Sequence, residues 1–228
     1  MKRQIRHSVF ETNSSTCHTL VIPKRDMVES EWPISDYQLK AFDSIYTFGR
    51  GLLEMLDNVG DKISYVFMLI CYDEYNKAYH SAKDKEAAAE TASAEAEKWK
   101  NMIMGWISER ASSQDAVEVA EDLLDWLRDM VIYGKSEIEG FGKNAWIEHP
   151  EEMLHFVDAF RKDNSLLKKF LFDVDAYATV CGDEYRGAYL KRVGFEADYS
   201  EMEWSEADNS EATWESKLEE TKKDFIIF

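Results

Sequence analysis

The residues best equipped for chemistry fall in three separated pieces of the chain. The first is the polar run Thr12-Asn13-Ser14-Ser15-Thr16-Cys17-His18, in which every side chain can donate or accept a hydrogen bond. A curled turn there would bring His18 within reach of the Ser15 hydroxyl, and a base at that distance is what activates a serine nucleophile. Cys17 is an alternative nucleophile but a poor partner for His18, because neighbours on an extended segment point to opposite faces. Asn13 and Ser14 would complete a ligand-binding loop; the plainer reading is an Asx or Ser/Thr turn that satisfies its own backbone. The second piece is Glu148-His149, placed by pattern at the end of a strand and just before a helix start, where anions are favoured. His149 is a second candidate base and Glu148 a candidate ligand contact, unless the pair is simply a helix entry with a surface histidine. The third is Asp183-Glu184 after Gly182, two carboxylates able to hold a hard cation such as magnesium, or to form a tight turn in an acid-rich chain.

Other chemistries find little footing. His7, His80 and His155 have no partner at metal-ligand spacing, and HExxH, P-loop, GxGxxG, paired CxxC and GxSxG motifs are missing from the sequence. The commonest metalloprotease, nucleotide-binding and hydrolase classes are disfavoured accordingly, and no particular cofactor is indicated. The three cysteines, Cys17, Cys71 and Cys181, are odd in number and irregularly spaced, which points to reduced thiols in a cytoplasm rather than a disulfide frame or zinc cluster.

Charge sets a second boundary. The 228 residues carry 27 Lys and Arg against 45 Asp and Glu, a net charge of −18. That argues against direct contact with nucleic acid, which needs clustered bases for its phosphates. It permits the reverse, an acidic protein lying in the basic groove of a nucleic-acid-binding partner, although solubility alone also explains such a charge. Hydrophobic residues make up 45% and aromatics 13% of the chain, enough for a real core. No apolar run approaches the roughly 18 residues of a membrane span. The basic opening Met1-Lys2-Arg3-Gln4-Ile5-Arg6 leads into alternating residues rather than the apolar core of a secretory signal.

Hydrophobic periodicity then says which elements must position the three pieces. Residues 3–22 alternate on either side of the polar run, which reads as strand, turn, strand. Residues 36–57 read as mainly helical, with Gly49 and Gly51 interrupting, and Asp61 is placed to cap the next helix, where Ile63, Val66, Phe67, Ile70 and Cys71 follow helical spacing. A helix is expected from residue 82, rich in alanine and continuing through Trp99, Ile103 and Ile107, and another from a Ser113 cap to a Gly134 stop. A short strand through residues 145–149, helices over 150–162 and 165–172, and a buried strand over 176–181 follow. Residues 196–220 hold ten acids and one base, Lys217, with Trp204 and Trp214 set among them. The apolar end, Phe225 to Phe228, is expected to pair as a strand rather than stay free. The fold class is therefore α+β: a small, mainly antiparallel sheet from residues 3–22, 144–148, 176–181 and the C-terminus, flanked by several helices. Residues 1–195 form one domain with a helical insertion near 82–134, and residues 196–228 an acidic extension.

The stretch Val9-Phe10-Glu11-Thr12-Asn13-Ser14-Ser15-Thr16-Cys17-His18-Thr19-Leu20 resembles the N-terminal "VFETNSSSxHS" signature of an uncharacterised family of bacteria and their phages. Trp146-Ile147-Glu148-His149-Pro150 is similar to that family's aromatic-Ile-Asp-His-Gln stretch, and Leu167 to Phe172 with Val180 to Glu184 to its "FLF… TGNDN" segment. The resemblance implies that the three polar pieces share one pocket lined by Asn13, Ser14, Ser15, His18, Glu148, His149, Asp183 and Glu184. Thr16-Cys17 in place of serines, Glu148 for Asp and Pro150 for Gln depart from the family pattern, as an altered copy of an ancestral site would.

Two functions follow. The first is a phage-encoded interaction or inhibitory protein, a host-defence antagonist in the host cytoplasm that engages a basic, nucleic-acid-binding protein through its acids and through Trp204, Glu206 and Trp214. The alternative is a small-ligand or nucleotide-processing enzyme, with Ser15, His18 and His149 catalytic and Asp183 and Glu184 holding a cation. Neither requires a membrane or direct contact with nucleic acid.

Overall fold

A computed structural model describes residues 16–29, 46–48, 54–134, 145–147, 150–182 and 223–227. Strand β1, Thr16–Pro23, begins inside the polar run, so Thr16, Cys17 and His18, expected in the turn, are already paired strand. Its even positions His18, Leu20 and Ile22 are buried, and Leu20 and Ile22 belong to the main hydrophobic core. β1 pairs antiparallel with β5 (Tyr177–Gly182), in register from Thr16 opposite Gly182 to Val21 opposite Tyr177. On its other side it pairs with β6 (Phe225–Ile227), so the expected C-terminal strand is present. β3 (Glu54–Leu56) joins the far edge of β5, giving a four-stranded antiparallel sheet of order β3-β5-β1-β6. Val21, Tyr177 and Thr179, on the opposite parity, are buried too, so both faces of the sheet are covered.

Two expectations fail in this region. Within residues 36–57, read as mainly helical, the described residues form two three-residue strands, β2 (Tyr46–Phe48) and β3. The strand through residue 145 does not join the main sheet: β4 (Ala145–Ile147) pairs with β2, in parallel, as a separate two-stranded sheet. Both elements are too short to show a period, and their partners lie far away in sequence.

Five α-helices among the described residues share one hydrophobic core with the sheet. In α1 (Val59–Ser81) residues 62–71 are buried without a break, so this helix is the centre of the protein rather than a one-sided amphipath. Its N-cap is Asn58, whose side chain accepts the Asp61 N–H at 2.8 Å; Asp61 sits in the first turn and is not the cap expected from sequence. α2 (Lys85–Ser108) packs on α1, burying the small residues Ala88, Ala89, Ala92 and Ala96 and then Ile103 and Ile107. α3 (Gln114–Tyr133) starts where Ser113 Oγ accepts the Ala116 N–H at 3.1 Å. It ends at Gly134, whose φ of +64° is the left-handed stop that glycine adopts without strain. A 3-10 turn (Pro150–Met153) leads into α4 (Leu154–Lys162), and Asp163 caps α5 (Asn164–Phe172). The helices from 85 to 133 share one continuous core with the sheet and with α1, α4 and α5.

Charged pairs fasten the helices to one another. Arg161 of α4 donates to Glu74 at 2.6 Å and also pairs with Asp73, both on α1, and Lys77 reaches Asp73 at 2.8 Å. Between α2 and α3, Lys100 lies 2.8 Å from Asp125 and 3.3 Å from Glu121, while Arg128 meets Glu97 at 2.6 Å.

Candidate functional site

Of the residues singled out by sequence for the site, His18 and the alternative nucleophile Cys17 fall among the described residues, as neighbours in β1. Asn13, Ser14, Ser15, Glu148, His149, Asp183, Glu184, Trp204, Glu206 and Trp214 lie outside them. His18 sits in β1 opposite Val180 and is 9% exposed. Its Nδ1 lies 2.8 Å from the Tyr65 hydroxyl of α1, and the two rings stack with centroids 5.7 Å apart at 19°. The side of this hydrogen bond that carries the proton depends on the imidazole tautomer. Burial pushes the Tyr65 hydroxyl well above the usual phenol range, so it stays protonated and can donate to Nδ1. A ring held this way braces strand against helix.

The sheet register bears on how the polar pieces are attached. Thr16 and Gly182 are the last pair of the β1–β5 ladder. The chain enters β1 and leaves β5 at the same end of the sheet, immediately after residue 15 and immediately before residue 183. Residues 148 and 149 follow β4 instead, in the other sheet, where Ile147 belongs to the core shared with the helices.

Sequence reading missed three buried polar features. Tyr65 stands in an uninterrupted buried run, where no helical stripe separates it from its neighbours. Lys62, 1% exposed, donates to the backbone carbonyls of Asp173 at 3.1 Å and Ala176 at 3.0 Å, tying α1 to the turn before β5. The Asp173 carboxylate, fully buried, takes a two-pronged contact from Arg25 at 2.8 and 2.9 Å and accepts the backbone N–H groups of Val28 at 3.1 Å and Asp175 at 2.9 Å. It latches the segment after β1 to the turn after α5. A signal existed for none of these, because each depends on a partner more than a hundred positions away or on burial all around a helix.

The second feature of functional interest is one face of α3. Asp115, Glu118, Asp122, Asp125 and Asp129 recur every three or four residues, so they line up along one side of the helix. Asp115, Glu118 and Asp122 are exposed and form no ion pair among the described residues. Asp125 and Asp129 are half-buried beside Arg128. Between residues 84 and 133 the sequence places twelve carboxylates against five basic side chains.

Among the described residues, no group of three or more His, Cys, Asp or Glu is arranged to hold a metal, and no helix is long and apolar enough to cross a membrane. No family model, curated protein or solved structure matches the chain.

Proposed function

We propose that this protein is an acidic interaction protein that engages, and by occupancy inhibits, the basic surface of a nucleic-acid-binding partner. The observation that carries the reading is the exposed carboxylate row on α3. Its three exposed members, Asp115, Glu118 and Asp122, span about 10 Å at 1.5 Å per residue, roughly one negative charge per 5 Å, against one phosphate per about 3.4 Å along each strand of duplex DNA. A basic groove built for phosphates would meet a comparable line of charge, presented on a rigid helix. The acid-rich segment 196–220, with Trp204, Glu206 and Trp214, supplies further charge and aromatic surface of the kind that anchors interfaces. The burial of His18 against Tyr65 favours binding over catalysis, since that ring already serves the packing of β1 on α1.

The test is affinity capture from a bacterial lysate with identification of what is retained. The wild-type chain should hold basic nucleic-acid-binding proteins at low salt and release them on addition of salt or duplex DNA. The double variant Glu118→Gln/Asp122→Asn should hold markedly less. Retention of no such protein, or undiminished retention by the variant, refutes the reading.

A further inference from the structure

The β1–β5 register brings together two residues that the sequence keeps 164 positions apart, Cys17 and Cys181, as direct cross-strand partners. Directly opposed residues of an antiparallel ladder have Cα atoms about 4.5 or 5.5 Å apart, depending on whether the pair is hydrogen-bonded. Both values lie inside the roughly 4.4–6.8 Å range that a disulfide spans without moving the backbone. The pair is one position in from the end of the ladder, where Thr16 meets Gly182.

The third cysteine is set apart. Cys71 is fully buried in the middle of α1, and burial holds its thiol well above the ordinary range, which suppresses the thiolate that does exchange chemistry.

We propose that Cys17 and Cys181 form a redox-active dithiol that a small-molecule disulfide of the glutathione type converts to a cross-strand disulfide. One thiolate attacks the small disulfide, breaks its S–S bond, releases one small thiolate and leaves a mixed disulfide on the protein. The second thiolate attacks the protein-side sulfur of that mixed disulfide, forming the Cys17–Cys181 bond and releasing the second small thiolate. The protein gives up two electrons, the small disulfide takes them, and the two protein protons end on the released thiols. The bond closes a loop of 164 residues and ties the N-terminal end of β1 to the C-terminal end of β5. Irregular spacing made these cysteines look unrelated; the ladder makes them neighbours. The inference is independent of the acidic-surface reading.

The experiment uses the full chain equilibrated in mixtures of oxidised and reduced glutathione, then alkylated, digested and analysed by mass spectrometry. A peptide pair joining Cys17 to Cys181 should accumulate as the mixture becomes more oxidising, with Cys71 recovered singly alkylated after unfolding. In parallel, the urea midpoint of the wild type should rise on oxidation, and those of Cys17→Ser and Cys181→Ser should not. Three results would each overturn the proposal: glutathione on both cysteines without a cross-link, a cross-link to Cys71, or free thiols at the most oxidising ratio. An oxidation-dependent midpoint that persists in either single variant overturns it as well.

Discussion

Replacing Asp173 by alanine is the sharpest test of how the fold is held. The carboxylate has no exposed surface, and four donors converge on it: both terminal nitrogens of Arg25 and the N–H groups of Val28 and Asp175. The loss divides into two parts. Arg25 is 38% exposed and also reaches Asp175 at 2.6 Å, so water and that second carboxylate can take over its charge, and its share is discounted to about 1 kcal/mol or less. The hydrogen bonds from the two backbone N–H groups are part-buried on exposed residues, so losing each acceptor is set at the low end for an unsatisfied donor, about 1 kcal/mol. A total of about 3 kcal/mol follows. With a urea m-value near 3 kcal/mol/M, at the upper end for small domains, the midpoint should fall by about 1 M with an unchanged slope. The control is Asp175→Ala, whose side chain is 61% exposed and whose pair with Arg25 is worth less than about 1 kcal/mol. Asp173→Asn keeps one acceptor oxygen and should fall between the two. If Asp173→Ala costs less than about 1 kcal/mol, or no more than Asp175→Ala, the latch between the segment after β1 and the turn before β5 is not what holds them.

Two further outcomes follow from particular contacts. Tyr65→Phe removes the hydroxyl that meets His18 Nδ1 and should cost about 1–2 kcal/mol in a thermal or urea melt while leaving partner capture untouched, so a loss of capture at unchanged stability would overturn the scaffold role of this pair. Lys100 is opposed by its own burial, but hydrogen bonds and charges from Asp125, Glu121 and Glu97 outweigh that and hold its pKa above the ordinary 10.5. A base with a raised folded pKa contributes stability that is present below the unfolded value and is lost as pH climbs through the folded one. The midpoint difference between wild type and Lys100→Met should therefore be full at neutral pH and shrink above 10.5, and a difference that stays constant across that range would contradict the assignment.

What could be read from sequence was what is local. Alternation gave the second half of residues 3–22 as β1, because Leu20 and Ile22 share one parity. Ser113 and Gly134 marked the ends of α3, because caps act within one turn. What could not be read depends on distant partners. The sequence of residues 36–57 reads as mainly helical, yet Glu54–Leu56 is the strand β3, because it pairs with β5 with Leu56 opposite Ala178, a partner more than a hundred positions away. The pattern of Ala145-Trp146-Ile147 predicts a strand, and it is one, but three residues carry no information about which sheet they join, and it pairs with β2 instead of the main sheet. The candidate site follows the same division. Composition pointed to His18 but could not show that its neighbour would be Tyr65, which lies 47 positions away.

The distribution of charge argues that the acidity is more than a means to solubility. Where carboxylates approach the core, bases are brought to them: Arg161 and Lys77 to Asp73, Arg161 to Glu74, Arg25 to Asp173, Lys100 and Arg128 to Asp125. Each base committed there leaves the outer surface with a larger negative excess, and like charges crowded on one helix face repel by a few tenths of a kcal/mol per pair. Asp115 has a structural reason to stand where it does, because it lies in the first turn of α3, where the helix dipole favours an anion. Glu118 and Asp122, one and two turns further on, have no such support. Their presence in line with Asp115 costs stability, and no ion pair among the described residues offsets it. Neutralising Glu118 and Asp122 should therefore leave the protein as stable or slightly more so, and a simultaneous loss of partner binding would place their value at the surface of another molecule.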